Sequence, residues 1–387
     1  MHWLEGRIVC LPSELDRPGF GLAPRFLERL RESPTVVIHS AWTVNFSLRI
    51  GSFGQHFAAT RNLIGLAAEG GARFYFVSST AAVINNASSS SGTIAETVSV
   101  DPADTTPLGY SKSKWVAENI CAAAHERYIS EARAGESGNH PVGGQERKTG
   151  PPPVSIIRVG QLFANHLGIW NESEAYPLML STASFTGCLP DLGDAPLNWL
   201  PVELAAQAVM EIALGRRGDD SVAPAQSSGG ESREGDGDDD GIPVYHVLNP
   251  HRQPTWREML DLISSSGDSD GRQQQQSAFS FETVPPSVWA KRLEASLNSG
   301  TSGHSSQGLL DLWKGKYSED QQSSSSGGGG DGSDGAKAAT AATKSGPVFE
   351  LERTQAASRT MRDIQPLDRT RILLMWKWLQ ESSGLCR

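Results

Sequence analysis

Cysteine is scarce: Cys10, Cys121, Cys188 and Cys386 are scattered through 387 residues with no C-x-x-C pair. That spacing argues against a disulfide framework and a cysteine-built zinc site, so no metal is expected. Long apolar runs are missing too, and no segment reaches the length of a membrane-spanning helix. The opening Met1-His2-Trp3-Leu4-Glu5-Gly6-Arg7 lacks the basic-then-apolar layout of a signal peptide. The expectation is a cytoplasmic protein with no membrane partner. Positive charge is in deficit, with 34 Lys and Arg against 44 Asp and Glu and a formal net charge of -10. Without a basic run or an aromatic strip, no nucleic-acid surface is expected. Hydrophobic residues make up only 38%, a shortfall that Gly, Ser and Gln tracts explain.

What is present begins as an alternation. Arg7 to Leu11 reads as a strand, Ala23 to Glu32 as a helix and Thr35 to His39 as a buried β-branched strand. Phe53, Phe57, Ile64 and Ala67 recur at helical spacing, Gly70-Gly71 closes that helix, and Arg73 to Ser78 forms the next strand. Strands and helices alternating over short connections predict right-handed crossovers and a parallel, doubly wound α/β sheet. A further strand is expected at Val154 to Arg158. Shorter ordered pieces follow at Trp256 to Ser264, Ser287 to Leu297 and Leu309 to Trp313. A final helix spans Pro366 to Glu381, with Ile372, Leu373, Met375, Trp376 and Leu379 as its apolar members.

Polar stretches interrupt this pattern at about 133–150, 215–242, 265–277 and 318–346. The acidic run Gly235 to Gly241 lacks the terminal Glu and flanking helices of a calcium loop and reads as linker. The predicted organisation is a dinucleotide-binding unit at 1–214, an acidic linker at 215–242 and a mainly helical C-terminal lobe at 243–387.

Tyr110 and Lys114 are four residues apart at the start of a predicted helix and share a face. An ammonium held near a phenol favours phenolate, which makes the hydroxyl a usable acid or base nearer neutrality. Taken alone, the spacing equally fits a solvated helix face. In a parallel sheet, ligands lie at the carboxyl ends of the strands, where His39-Ser40-Ala41 and Ser78-Ser79-Thr80 fall. Such residues are also ordinary turn formers.

The ordered words are more specific. Ser78-Ser79-Thr80-Ala81-Ala82-Val83 followed by Tyr110 and Lys114 resembles the extended short-chain dehydrogenase/reductase superfamily. His39 to Phe46, Arg61 to Ile64, Arg158 to Gln161, Gly168 to Asn171, Glu174 to Met179 and Trp199 to Glu203 resemble one branch of it. That branch is the thioester reductase, or male-sterility-type NAD-binding, domains of fungal adenylate-forming reductases and of peptide and polyketide synthetases. The resemblance implies a Rossmann-like sheet and NADPH as cofactor. The implied substrate is an acyl thioester on a phosphopantetheine carrier, reduced to an aldehyde or alcohol. It further implies that Tyr110 donates a proton, Lys114 lowers the phenol's pKa and holds the nicotinamide ribose, and Thr80 bonds the substrate carbonyl, with Ser79 as runner-up. Ala41, Arg158, Val159, Gly160 and Gln161 would lie along the cofactor, and Trp170, Asn171 and Tyr176 would line the substrate.

The family's glycine-rich phosphate loop has no good match. Gly19-Phe20-Gly21-Leu22-Ala23-Pro24 ends in Pro and sits well beyond the first strand. Aligned with the family, residues from Arg7 resemble its third strand, with Glu14 where an Asp beside the adenine is usual. The expectation is therefore a truncated domain that lacks its first two strands. Two other readings stay open: an extended short-chain dehydrogenase acting on a ketone or sugar nucleotide, and a catalytically inactive module unable to bind cofactor.

Overall fold

The computed structural model describes residues 8–88, 92–136, 154–215, 241–265, 280–299, 306, 309–317 and 347–382. The predicted insertions fall mostly outside these residues. The chain runs α1 (Pro24–Glu32), β1 (Val36–His39), α2 (Gly54–Gly70), β2 (Arg73–Ser79), β3 (Thr93–Ile94), α3 (Gly109–Glu136), β4 (Val154–Val159) and β5 (Leu162–Phe163). Next come α4 (Ala175–Ser181), α5 (Ala183–Thr186), β6 (Cys188–Pro190), β7 (Leu200–Pro201), α6 (Val202–Leu214), β8 (Val244–Val247) and α7 (Trp256–Ser265). The series ends with β9 (Glu282–Val284), α8 (Pro286–Asn298), α9 (Leu310–Tyr317), β10 (Val348–Phe349), α10 (Glu352–Ala357), α11 (Arg359–Arg362) and α12 (Arg369–Ser382).

The main sheet has the order β1-β2-β4-β8 and every pairing is parallel, as the alternation predicts. Its side chains divide by the period of two. Phe74, Phe76, Val154 and Ile156 pack with Ile64 and Ala67 of α2 and Ala117 and Cys121 of α3. Tyr75 and Ile157 face the other way, onto Ala205, Ala208 and Ile212 of α6 and Met361 of α11. A separate core gathers Trp170, Trp199, Trp256, Trp289, Trp313 and Trp376, and forms the lobe.

Two expectations change. Ile8 to Leu11 form no strand; Ile8 and Val9 are exposed at 60% and 69%, and a strand needs a paired neighbour that these residues lack among the described ones. The sheet unit and the lobe also do not divide at residues 214 and 243. β8 is the fourth strand of the sheet, whereas Phe163 to Trp199 pack into the lobe core. The chain crosses between the two units more than once, because parallel pairing of β8 with β4 draws the strand back to the sheet.

The return is clamped at Glu211 of α6. Its carboxylate accepts from Ser358 Oγ at 2.6 Å, Thr360 N at 2.9 Å and Thr360 Oγ1 at 2.8 Å, while Ser358 Oγ accepts from Met361 N and caps α11. Burial raises the Glu211 pKa, but these bonds outweigh it and hold the group at about 2, below the ordinary 4.5. Glu211→Gln should lower stability by about 1 kcal/mol at neutral pH, the usual worth of a cap. Because the folded pKa is depressed, the deficit should be constant above the ordinary carboxylate value and shrink as pH falls through about 2, read by urea unfolding across pH.

Candidate active site

The carboxyl ends of β1, β2 and β4 open toward the first turns of α3. The loop after β1 packs directly on the start of that helix. At Gly109 an added Cβ would lie 2.2 Å from the Leu48 carbonyl oxygen, so only glycine admits this approach. The close contact brings the Phe46 ring to 5.5 Å from the Tyr110 ring, edge to face. Trp42 Nε1 donates to Ser113 Oγ at 3.1 Å, and Ser113 Oγ donates to the Tyr110 carbonyl at 2.7 Å.

Burial raises the Tyr110 pKa, Ser79 at the end of β2 opposes that, and the Glu174 charge raises it further. Ser79 Oγ accepts from Ala81 N at 3.2 Å. Thr80, expected to bond the substrate carbonyl, is half-buried in the 3-10 turn that follows.

Lys114 Nζ donates to Val77 O at 2.8 Å and lies 4.4 Å from the Trp42 ring centroid, 4.8 Å from that of Phe76 and 6.0 Å from that of Tyr110. Burial lowers its pKa to about 7, against an opposing pull from Glu118. The aromatic faces around the ammonium offset part of its lost hydration. Beside it, His39 is 2% exposed with Nε2 unpartnered among the described residues. Burial first, then Lys114 and His56, lowers the His39 pKa to about 4. Ala41 is exposed just past the strand.

The Arg158 side chain and that of Glu118 are both 0% exposed, with Nη2 2.7 Å from Glu118 Oε2. Ser78 Oγ donates to Glu118 Oε1 at 2.5 Å, and Arg158 Nη2 donates to Thr97 O at 2.9 Å. Arg158 Nη1 donates to His246 Nε2 at 3.1 Å, while His246 Nδ1–H donates to Glu350 O at 2.8 Å. Burial, and then Arg158, lowers the His246 pKa to about 4, which fits that neutral tautomer. The Arg158 side chain is thus committed to a buried network. The neighbouring positions differ: Val159 is half-buried, Gly160 N donates to Val247 O at 3.0 Å, and Gln161 Nε2 donates to Leu162 O at 2.8 Å.

Two of the three expected substrate-lining residues, Trp170 and Tyr176, pack on one ring, that of Trp199. Trp170 is 5% exposed and packs against Phe163 and Trp199 in the lobe core. Asn171 is exposed and caps a turn through Ser173 N at 3.1 Å. The Tyr176 ring lies 4.6 Å from that of Trp199. Glu174, which the Glu174 to Met179 word contains but gives no role, accepts from Trp170 Nε1 and Gln161 Nε2, and its charge adds to the rise in the Tyr110 pKa. Among the described residues no cluster of three or more His, Cys, Asp or Glu could hold a metal, and no helix is long and apolar enough to cross a membrane.

Removing one partner of a fully buried pair leaves an uncompensated charge. Arg158→Met should therefore cost about 3–5 kcal/mol in urea unfolding. A cofactor-facing arginine would instead leave stability unchanged.

Residues 2–134 match the family model described as Male sterility protein, of the NAD-binding class. A non-canonical non-ribosomal peptide synthetase, ascB of Acremonium egyptiacum, is 31% identical over 66% of this chain and 20% of its own length. An adenylate-forming reductase of Aspergillus terreus is 29% identical over 67% of this chain and 21% of its own. The chain therefore spans about a fifth of the length of these curated relatives. Among solved structures, the terminal R domain from the myxalamid PKS-NRPS pathway matches with TM-score 0.66 and 18% identity, covering 99% of this chain and 77% of that one. The reductase domain of a non-ribosomal peptide synthetase from Mycobacterium tuberculosis matches with TM-score 0.62 and 19% identity, covering 99% and 78%. The last two likenesses establish the fold. Residues 2–134 are thus a male sterility NAD-binding domain, with fungal adenylate-forming reductases among its homologues and synthetase reductase domains among its structural neighbours.

Proposed function

We propose that this chain serves as the reductase portion of a system that converts a carrier-bound acyl thioester, or a related acyl substrate, to an aldehyde and onward to an alcohol, with NADPH as reductant. The observation that carries the reading is the half-buried Tyr110 phenol, edge to face with the Phe46 ring and kept protonated at neutral pH, with Ser79 acting on it from the carboxyl end of β2. A protonated phenol beside a second hydroxyl is suited to meet an oxygen that gains negative charge.

The chain's own polar groups fit a dinucleotide there. The orphaned His39 Nε2 and the exposed Ala41 leave unused capacity at the end of β1. Tyr110 and Lys114 would hold the nicotinamide ribose, the latter after leaving Val77 O, and Val159 to Gln161 would flank the ring. Bound NADPH would supply the hydride. Tyr110 then gives its proton to the carbonyl oxygen, and Ser79 and Thr80 donate hydrogen bonds to the same atom. When the tetrahedral species collapses, the C–S bond breaks, the thiolate takes a proton and the oxygen returns its proton to Tyr110. Tyr176 and Asn171 remain candidates for contact with the acyl chain or its pantetheine arm.

One observation favours a second reading, a reductase scaffold without turnover: Lys114 is held by Val77 O beneath Trp42. Titration of NADPH against the full chain separates the two, since micromolar binding sinks the inactive reading. Under the first reading, Tyr110→Phe should lower thioester-dependent NADPH oxidation by about 10²-fold or more while unfolding stays cooperative. Retained turnover in that variant would overturn the assignment. Ser79→Ala and Thr80→Ala, assayed in parallel, identify the hydroxyl that serves the oxyanion by the larger fall in kcat.

A further inference from the structure

Trp42 stands three residues past β1, half-buried in the loop that packs on the start of α3. An indole N–H removed from water needs an acceptor. Trp42 Nε1 donates to Ser113 Oγ at 3.1 Å, and Ser113, 0% exposed, donates in turn to the Tyr110 carbonyl at 2.7 Å. The ring is thereby tied to the turn that carries both Tyr110 and Lys114. His56 of α2 stacks on it at 4.7 Å, and Phe76 of β2 meets it edge to face at 5.4 Å. An indole held from three elements keeps one orientation.

Lys114 Nζ lies over this ring, 4.4 Å from its centroid. The Phe76 ring is next at 4.8 Å, and that of Tyr110 stands at 6.0 Å. Lys114 is 3% exposed, and its Nζ donates to the Val77 carbonyl at 2.8 Å. A carbonyl takes one of the three ammonium hydrogens, whereas a ring face attracts the charge without consuming a particular one. Indole, the strongest of the aromatic faces, therefore offsets lost hydration and leaves donors for a ligand. Burial brings the Lys114 pKa down to about 7, so its charge near neutrality depends on what faces it. The titratable groups around it are His39 from β1, His56 from α2, and Tyr110, Glu118 and Cys121 from its own helix. Both histidines have lowered pKa values, and Glu118 is paired with Arg158.

We propose that Trp42 is a positioning residue of the reductase site: its ring face carries the Lys114 ammonium while its N–H, through Ser113, ties down the Tyr110 turn. One side chain thus presents both groups together at the carboxyl ends of β1 and β2. The inference rests on the reading of Tyr110 and Lys114 as the reductase pair and adds the residue that supports them.

The test uses the full 387-residue chain with its lysines labelled by carbon-13 at Cε. The Cε resonances are followed against pH, and Lys114→Met assigns the Lys114 step without any turnover. Tryptophans bearing one, two and three ring fluorines are then placed at position 42 alone. Fluorine weakens the negative ring face but keeps the shape and the N–H, so folding is preserved. The Lys114 step should move to lower pH with each fluorine, by about one unit over the series. Repeated in Ser113→Ala, the series should give the same shift, which assigns it to the ring face and not to the N–H bond. With NADPH and an acyl thioester, kcat at neutral pH should fall along the series. A Lys114 step that stays in place along the series, whatever the Tm, would make Trp42 a packing residue and overturn the proposal. If the parent chain shows no turnover, the reductase reading fails, whereas the resonance still decides the role of Trp42.

Discussion

The buried Glu118–Arg158 pair sets the rotation of helix α3. Tyr110, Lys114 and Glu118 follow one another at intervals of four and therefore form one row down that helix. Fixing the third member fixes the first two. Glu118 is held by Arg158 from β4 and Ser78 from β2, so the row is registered against the two central strands of the sheet. The same arginine reaches Thr97 O and His246, and His246 is joined to Glu350 and Thr354 of the C-terminal segment. Charges buried this deeply give little net stability, because desolvation offsets most of their attraction. What they supply is geometry: any other rotation of α3 would strand an ion in an apolar core.

Much of this was legible in the residues. The β-branched and aromatic runs placed β1, β2 and β4 within a residue of their observed bounds, and the spacing of Tyr110 and Lys114 placed them on one helical face. The direction of the Arg158 side chain was not legible in a motif word. Strand parity held the missing signal: Arg158 shares a face with Val154 and Ile156, which pack on α3, and not with Ile157. Glu118, eight residues after Tyr110, was then the available partner. Glu174 stood in a family word without a role, because its bonds to Gln161 and Trp170 arise only when the lobe folds back beside the end of β4. The Arg7 to Leu11 strand failed for a related reason, since β propensity expresses itself only where a ladder partner exists.

Lys114 shows why spacing and chemistry are separate claims. An ammonium removed from water needs compensation, and here the Val77 carbonyl and two aromatic faces provide it. With a pKa of about 7 the group sits near the balance between its charged and neutral forms at neutral pH.

The connections between the strands of the sheet differ widely in length. Residues 137–153 separate α3 from β4, and residues 216–240 separate α6 from β8. Yet β2, β4 and β8 pair in unbroken parallel register. Closing a loop costs free energy that grows only with the logarithm of its length, about 0.6 kcal/mol per doubling. A connection can therefore lengthen at these points without disturbing the strands it joins. The lobe is under a stricter constraint. At Gly168, with φ 81°, an added Cβ would lie 2.4 Å from the Leu374 carbonyl, so the turn before Trp170 is pressed against α12. Trp170 in turn donates to Glu174, which also accepts from Gln161 just past β4. The carboxyl end of β4 is thus held from both sides, by the ion pair beneath α3 and by the tight seat of one glycine on the last helix.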